Sequence, residues 1–355
     1  MPFAARLWPR RRPLPPLTAR DSAGLSIRRA AHRAALLGGV LVTSLGGCAP
    51  LPQLDTTPPG VPVTLLVEPD VGAEPILQLM ASARESLWME MYLLTDGAAV
   101  ATLADRARAG CDVRVALEPA PYKDQGANQA AFDQLASAGV LVRWSSPRFT
   151  FTHAKAFVVD HSRLVVMTLN LTASGLGGNR EFAIVDDDAA DVAAAESVFA
   201  ADFSGAPATG SGRIVTSPDG TRPALLDLVQ AASRRLTLET EELADSSLAE
   251  ALVAARARGV AVTVVWPGPV DAVGTALRDL VRAGVTVRAL AFPPIHAKSL
   301  VADGKRAYVG SANLSATSLD ANRELGLALS DPDTAAELEA VMGADAARGG
   351  SLPGL

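Results

Sequence analysis

Residues 294–303 read PIHAKSLVAD, and 143 residues earlier, at 151–160, the chain reads FTHAKAFVVD. His-Ala-Lys is written twice, each time with an Asp five residues past the Lys: His153, Lys155 and Asp160, then His296, Lys298 and Asp303. The chain holds four Lys against 28 Arg, and only four His, yet two of each fall in these stretches. A sequence that uses Arg for almost every positive charge and keeps Lys here calls for a compact ammonium in place of a planar fork. In an extended strand alternate side chains share a face, so the His and the Lys point one way and the Ala between them the other.

The pattern continues downstream without gaps. After a turn at VDH in the first copy and ADGK in the second, the chain returns along LVVMTLN and AYVGSAN, which brings Thr168 and Ser311, then Asn170 and Asn313, back beside the His-Lys pairs. Glu181 and Glu324 follow, each 28 residues past its His. Upstream, LWMEMYLLTD at 87–96 aligns with LTLETEELAD at 236–245 at an offset of 149, and SAGVLVRW aligns with RAGVTVRA at 145. A falling offset means matched elements with longer loops in the first copy, chiefly EPAPYKDQGANQ at 118–129. The chain is one unit written twice.

Each copy reads as strand, helix, strand, helix, strand and motif hairpin. Apolar runs such as VTLLVEP and VRVALEP are separated by Ala-rich helical patterns such as AAVATLADRARAG, which a Gly ends. This alternation predicts an α/β fold of two pseudo-symmetric halves, each a mixed β-sheet flanked by helices. The halves are placed at 61–204 and 211–345, joined through the small, polar SGAPATGSG at 204–212, with 346–355 as a tail.

Residues 1–48 stand apart. Eight Arg and one acid precede the apolar run AALLGGVLVTSLGG and Cys48, the pattern of an export signal, and the run is short for a membrane span. LGGC resembles the lipobox of bacterial lipoproteins, in which the Cys is acylated; an ordinary signal peptide or an uncleaved anchor is the alternative. APLPQLDTTPPG at 49–60 reads as a Pro-rich tether. The protein is therefore expected in the bacterial cell envelope, exported and held to a membrane surface by lipidation of Cys48. Past residue 48 the chain carries 24 basic and 37 acidic residues, a formal charge of −13, which disfavours broad charge-driven binding to nucleic acid. Cys48 and Cys111 make no disulfide framework, and Cys111 reads as a buried small side chain at the start of a strand.

The doubled His-x-Lys-x-x-x-x-Asp, with Gly-Ser-x-Asn and a later Glu, resembles the signature of the phospholipase D superfamily, to which bacterial cardiolipin synthases belong. The resemblance covers roughly 61–330. It implies that the two motifs meet at a pseudo-twofold axis and form one active site at the interface of the halves, so that a monomer is complete. The second copy fits throughout. The first has Met167-Thr168 in place of Gly-Ser, which keeps a hydroxyl but loses the small residue and bears on the fine geometry of that half.

The residue types suit the chemistry this resemblance implies. Attack on an anionic phosphodiester needs a nucleophile that is neutral at working pH and a proton donor for the leaving oxygen, and two imidazoles can divide those tasks. By the family pattern His153 attacks phosphorus to give a phosphohistidine, while His296 protonates the leaving alcohol and then activates water or a second alcohol. Lys155, Lys298, Asn170 and Asn313 would hold the non-bridging oxygens. Glu181 and Glu324 would each fix one His tautomer, with Thr168 and Ser311 in support; whether each Glu serves its own half or the other stays open. No metal or other cofactor is implied, since the intervening Lys would repel a cation.

Asp160 and Asp303 begin tight turns and read as turn-stabilising, and His161 as an exposed turn residue. Glu90 and Glu239, matched between copies, read equally well as pocket lining or as buried partners of an Arg. Tyr92 against Glu241, together with Tyr122 and Lys123 in the long loop, are candidates for asymmetric substrate contacts. The expected activity is that of a phosphodiesterase or phosphatidyltransferase acting on phospholipid. A nuclease of the same superfamily and an inactive head-group-binding module are the alternatives.

Overall fold

The protein is seen here in a computed structural model, which describes residues 62–268 and 275–352. The export signal at 1–48, Cys48 and the tether at 49–60 lie outside the described residues. The first half runs β1 (Thr64–Glu68), α1 (Glu74–Ala81), β2 (Ser86–Met91), α2 (Gly97–Arg108), β3 (Asp112–Leu117), α3 (Gln129–Ser137), β4 (Leu141–Trp144), β5 (Lys155–Val159), β6 (Arg163–Met167), α4 (Ala173–Gly177), β7 (Glu181–Asp186) and α5 (Ala189–Ser204). The second repeats it as β8 (Ile214–Ser217), α6 (Thr221–Ala231), β9 (Arg235–Thr240), α7 (Ser246–Ala257), β10 (Ala261–Pro267), α8 (Thr275–Arg282), β11 (Thr286–Leu290), β12 (Lys298–Ala302), β13 (Arg306–Gly310), α9 (Ala316–Asp320), β14 (Glu324–Leu329) and α10 (Pro332–Arg348), and adds β15 (Gly350–Ser351).

The two sheets share one strand order. The first is β1-β7-β6-β5-β2-β3-β4, and the second is β8-β14-β13-β12-β9-β10-β11 with β15 added on β11. In each, the strands that follow crossover helices pair in parallel, while the motif hairpin and its neighbours pair antiparallel. This is the α/β arrangement of two mixed-sheet halves that the repeat predicts. Four strands precede each hairpin, however, where the sequence pattern gives three. The reason is local: α1 and α6 carry no side-chain N-cap and no Gly at their C-terminal caps, whereas α2 is capped by Asp96 and closed near Gly110, at φ +95. The stretch at 346–355 is also not a tail throughout, since α10 runs to Arg348 and β15 pairs with β11 through Arg288 and Ala289.

Three buried clusters hold these layers. Met89, Val115 and Phe157 pack under Ile76, Leu103 and Leu135 on the outer face of the first sheet, and Leu238, Val264 and Leu300 pack under Leu225, Leu252 and Leu280 on the second. The third cluster lies between the sheets, with Ala156, Val166 and Ile184 joined to Val301, Val309 and Leu327, flanked by Val198 of α5 and Leu338 of α10. Each such aliphatic side chain contributes about 1.5–3 kcal/mol on full burial, so the interface between the halves is core.

Both hairpins turn through left-handed backbone, at Asp160 (φ 50) and His161 (φ 52), and at Asp303 (φ 56) and Gly304 (φ 65). Asp tolerates that region because its carboxylate bonds nearby backbone. Asp160 accepts from the N–H groups of Arg84, Glu85 and Ser86 at 2.8–3.0 Å, and Asp303 from those of Ser233, Arg234 and Arg235 at 2.8–2.9 Å. Each therefore ties its hairpin to the first residues of β2 or β9. His161 is exposed beside them, with its Nδ1 on Glu196.

Candidate active site

Strand register gathers the site. β5 begins at Lys155 opposite Met91, the last residue of β2, and β12 begins at Lys298 opposite Thr240, the last residue of β9. Each His stands two residues ahead of its strand, on the same edge. The Ala of each His-Ala-Lys, Ala154 and Ala297, is fully buried in the cluster between the sheets, so the His and Lys are turned away from it. Asp160 and Asp303 sit at the far ends of the same strands, about 16 Å from the Lys at ~3.3 Å per residue.

The halves also exchange backbone hydrogen bonds here. Thr152 bridges Arg323, and Ile295 bridges Arg180. The His153 N–H donates to the Arg323 carbonyl at 2.8 Å and the His296 N–H to the Arg180 carbonyl at 3.2 Å. Since each Arg is followed by the motif Glu, this exchange delivers each Glu to the opposite His. His153 Nδ1 lies 2.9 Å from Glu324 Oε2, and His296 Nδ1 lies 2.5 Å from Glu181 Oε1. The pairing left open by the sequence is thus between halves.

Both carboxylates are themselves held. Thr168 Oγ1 donates to Glu181 at 2.6 Å, and Ser311 Oγ donates to Glu324 at 2.6 Å, so the Met167-Thr168 departure leaves the contact unchanged. The cause is the neighbour across the sheet. At Gly310 an added Cβ would fall 2.5 Å from Gly326 Cα and from the Tyr308 hydroxyl, whereas Met167 is buried in the first outer cluster beside Val165 and Ala183. Glu324 has further donors in Ser318 and Asn322. Burial works to raise Glu181 and Glu324, but the opposed His, the nearby Lys and these hydroxyls outweigh it and hold both carboxyls below their ordinary value.

His153 is pushed the other way. Burial, assisted by the charges of Lys155 and Lys298 and opposed by Glu324, lowers its pKa and favours the neutral ring. Lys155 is fully buried, donates to the His153 carbonyl at 2.8 Å, and is lowered to about 7 by burial and by Lys298. Lys298 donates to the His296 carbonyl. Asn170 and Asn313 each have an Oδ1 with no hydrogen-bond partner among the described residues. Asn170 lines a recess of about 390 Å³ that also reaches His296 and Glu181.

The two ends of the site are unlike. At the matched position of the repeat stand Tyr92 and Glu241. Tyr92 packs edge-on to the His153 ring, centroids 4.4 Å apart, lies under Lys155, and accepts from the Tyr122 N–H through its hydroxyl at 2.6 Å. Glu241 Oε1 sits 2.8 Å from Lys298 Nζ and 3.5 Å from His296 Nε2. Burial works to raise Glu241, but Lys298 and His296 hold it well below the ordinary carboxylate range. Of the long-loop pair, Tyr122 is exposed, with Lys123 over its ring.

Glu90 and Glu239 do not line the pocket. Both are buried, and burial with a neighbouring Asp, Asp202 or Asp345, pushes both well above the carboxylate range. Those Asp residues hold the Arg of each Asn-Arg-Glu: Arg323 Nη2 donates to Asp202 at 2.9 Å, and Arg180 Nε donates to Asp345 at 2.6 Å, each between halves. This ion-pair layer is what the sequence reasoning misses. Its signal is there, because Arg180 and Arg323, and Asp202 and Asp345, stand at the same offset of 143 as the motif.

Residues 76–203 and 225–346 match a family model described as cardiolipin synthase, PLD-like domain. Cardiolipin synthase A of Escherichia coli O157:H7 is 36% identical over 125 residues, which is 33% of this chain and 26% of that protein. The same enzyme of Escherichia coli strain K12 / DH10B is 35% identical over the same shares. The match thus spans about a quarter of the length of these relatives. Among solved structures, polyphosphate kinase from Porphyromonas gingivalis superposes with a TM-score of 0.65 at 15% identity, over 79% of this chain and 46% of that one. Phosphatidylserine synthase from Haemophilus influenzae Rd KW20 does so at 0.62 and 13%, over 82% and 87%. At these identities the likeness is one of fold.

Proposed function

Because this chain belongs to the cardiolipin synthase, PLD-like domain family, we propose that it is a phospholipase D-like phosphodiesterase or phosphatidyltransferase that cleaves phospholipid phosphodiesters through a phosphohistidine. The observation that carries the reading is the crossed pair of His–Glu contacts, which occupies Nδ1 of both rings and leaves Nε2 for chemistry, that of His296 with Glu241 Oε1 3.5 Å away. His153, favoured as the neutral ring, attacks phosphorus and takes the phosphoryl group as the alkoxide leaves. His296 gives that oxygen its proton, then removes one from water or an acceptor alcohol, which displaces His153. Lys155, Lys298, Asn170 and Asn313 hold the non-bridging oxygens, and donors preorganised in this way contribute ~3–4 kcal/mol each.

A lipid substrate fits the outer surface of the same edge. Among the described residues five large apolar side chains are exposed, and four of them, Val71, Tyr122, Trp144 and Phe292, leave the sheets on the edge that carries both His residues. Tyr and Trp at such a rim suit the boundary between head groups and acyl chains. No helix among the described residues is long and apolar enough to cross a membrane. Attachment through Cys48 in the cell envelope would keep the protein at a membrane surface, and one chain suffices because it carries both motifs.

The test is head-group release by the purified full chain from mixed micelles of detergent and phospholipid, with excess EDTA, beside His153→Ala and His296→Ala. Release that survives EDTA and vanishes in both variants is expected. Absence of release from every lipid would overturn the reading, and release only from DNA or RNA would replace it with a nuclease.

A further inference from the structure

Glu241 breaks the symmetry of an otherwise duplicated site. Its counterpart Tyr92 presents a ring to Lys155 and His153, whereas Glu241 brings a carboxylate to Lys298 and to Nε2 of His296. That nitrogen is where the oxygen of the leaving or incoming alcohol must lie if His296 moves its proton. The Glu241 side chain is 28% exposed, whereas that of Lys298 beside it is fully buried. A carboxylate beside a phosphate site repels a second anion and accepts from a donor.

We propose that Glu241 lines the subsite for the alcohol side of the phosphodiester and selects an alcohol carrying a further hydrogen-bond donor, a hydroxyl or an ammonium, over one that carries none. The inference rests on the phosphodiesterase reading above and adds the class of alcohol. When the phosphoryl oxygens take Lys298, Glu241 is released to that donor; a substrate without one leaves a desolvated carboxylate unpaired. An adjoining phosphate, as in a nucleic acid strand, is opposed by charge.

The test compares the full chain with Glu241→Gln and Glu241→Asp in detergent micelles of phosphatidylglycerol, phosphatidylethanolamine or phosphatidylmethanol. These share one phosphoryl centre and differ in the donor. For Glu241→Gln, the ratio of kcat/KM on each of the first two to that on phosphatidylmethanol is expected to fall roughly 10- to 100-fold, the range of a hydrogen bond to a charged group; Glu241→Asp is expected to recover part of the preference. Equal losses on all three lipids, or none, would overturn the subsite while leaving the phosphodiesterase reading standing. If the wild type releases alcohol from none of them, that reading falls, and titration calorimetry with glycerophosphoglycerol and dimethyl phosphate decides the subsite. Tighter binding of the former that Glu241→Gln abolishes supports it, and equal binding refutes it.

Discussion

Glu324 of the second half holds His153 of the first, Oε2 to Nδ1 at 2.9 Å, and Glu181 returns the contact to His296. Neither half contains a complete His–Glu pair. The duplicated motif therefore makes one site, whose two imidazoles are oriented only when the halves are packed.

Glu324→Gln and Glu181→Gln are each expected to lower kcat by roughly 10²- to 10⁴-fold, up to the cost of neutralising the carboxylate that orients a catalytic imidazole. In a double-mutant cycle read by denaturant unfolding, His153→Ala should couple strongly to Glu324→Gln and weakly to Glu181→Gln. Strong coupling within a half and not across it would refute the crossed arrangement.

Lys155 opposes stability. Its pKa is lowered from 10.5 to about 7 in the folded protein, chiefly by burial. The stability linked to this group is therefore present above pH 10.5 and lost as pH falls through about 7. Lys155→Met should abolish head-group release yet raise Tm, with the gain larger at pH 6 than at pH 9. Melting curves of both proteins across that range check it, and a uniform loss of Tm would contradict it.

Asp303 is a fastener at the far end of β12. Asp303→Ala should cost about 1–3 kcal/mol, the range for leaving such donors unmet, with kcat unchanged in the protein that stays folded. Burial works to raise this carboxyl, but the backbone donors of β9 and Ser233 hold it down to about 2. Its contribution is present above the ordinary value of 3.8 and lost as pH falls through about 2, so the Tm difference between variant and wild type should close over that interval. A loss of kcat at full stability would point to a role in the chemistry instead.

The ion pair between Arg180 and Asp345 joins the halves inside the protein. Arg180→Met alone should destabilise by about 3 kcal/mol, since it leaves the buried Asp345 with only the half-exposed Arg348 as a cationic partner, while Arg180→Met with Asp345→Leu should recover most of the loss. Denaturant titrations of the two proteins decide this; equal losses would mean that Arg180 acts through packing alone.

Much of this was legible because a duplication reports on itself. Matched offsets locate His153 and His296, their Lys and Glu, and the α/β halves. The same offset holds Asp202 and Asp345, and those pass unnoticed because an Asp in an Ala-rich helix reads as a solvated face until its Arg is seen. Strand count fails at α1 and α6, where neither cap is written in side chains. The crossed His–Glu pairing is not readable at all, since spacing along a chain says which residues share a strand and not which sheet faces another. Glu241 is visible only as a mismatch with Tyr92, and its contact with Lys298 needs the fold.

The most direct measurement is covalent trapping. Full-length His296→Ala, mixed with phospholipid labelled in its phosphate and quenched in alkali, is expected to carry the label on His153, because the first step can proceed slowly while the second has lost its base. Label found on another residue, or wild-type turnover with no labelled histidine in any variant, would contradict the account.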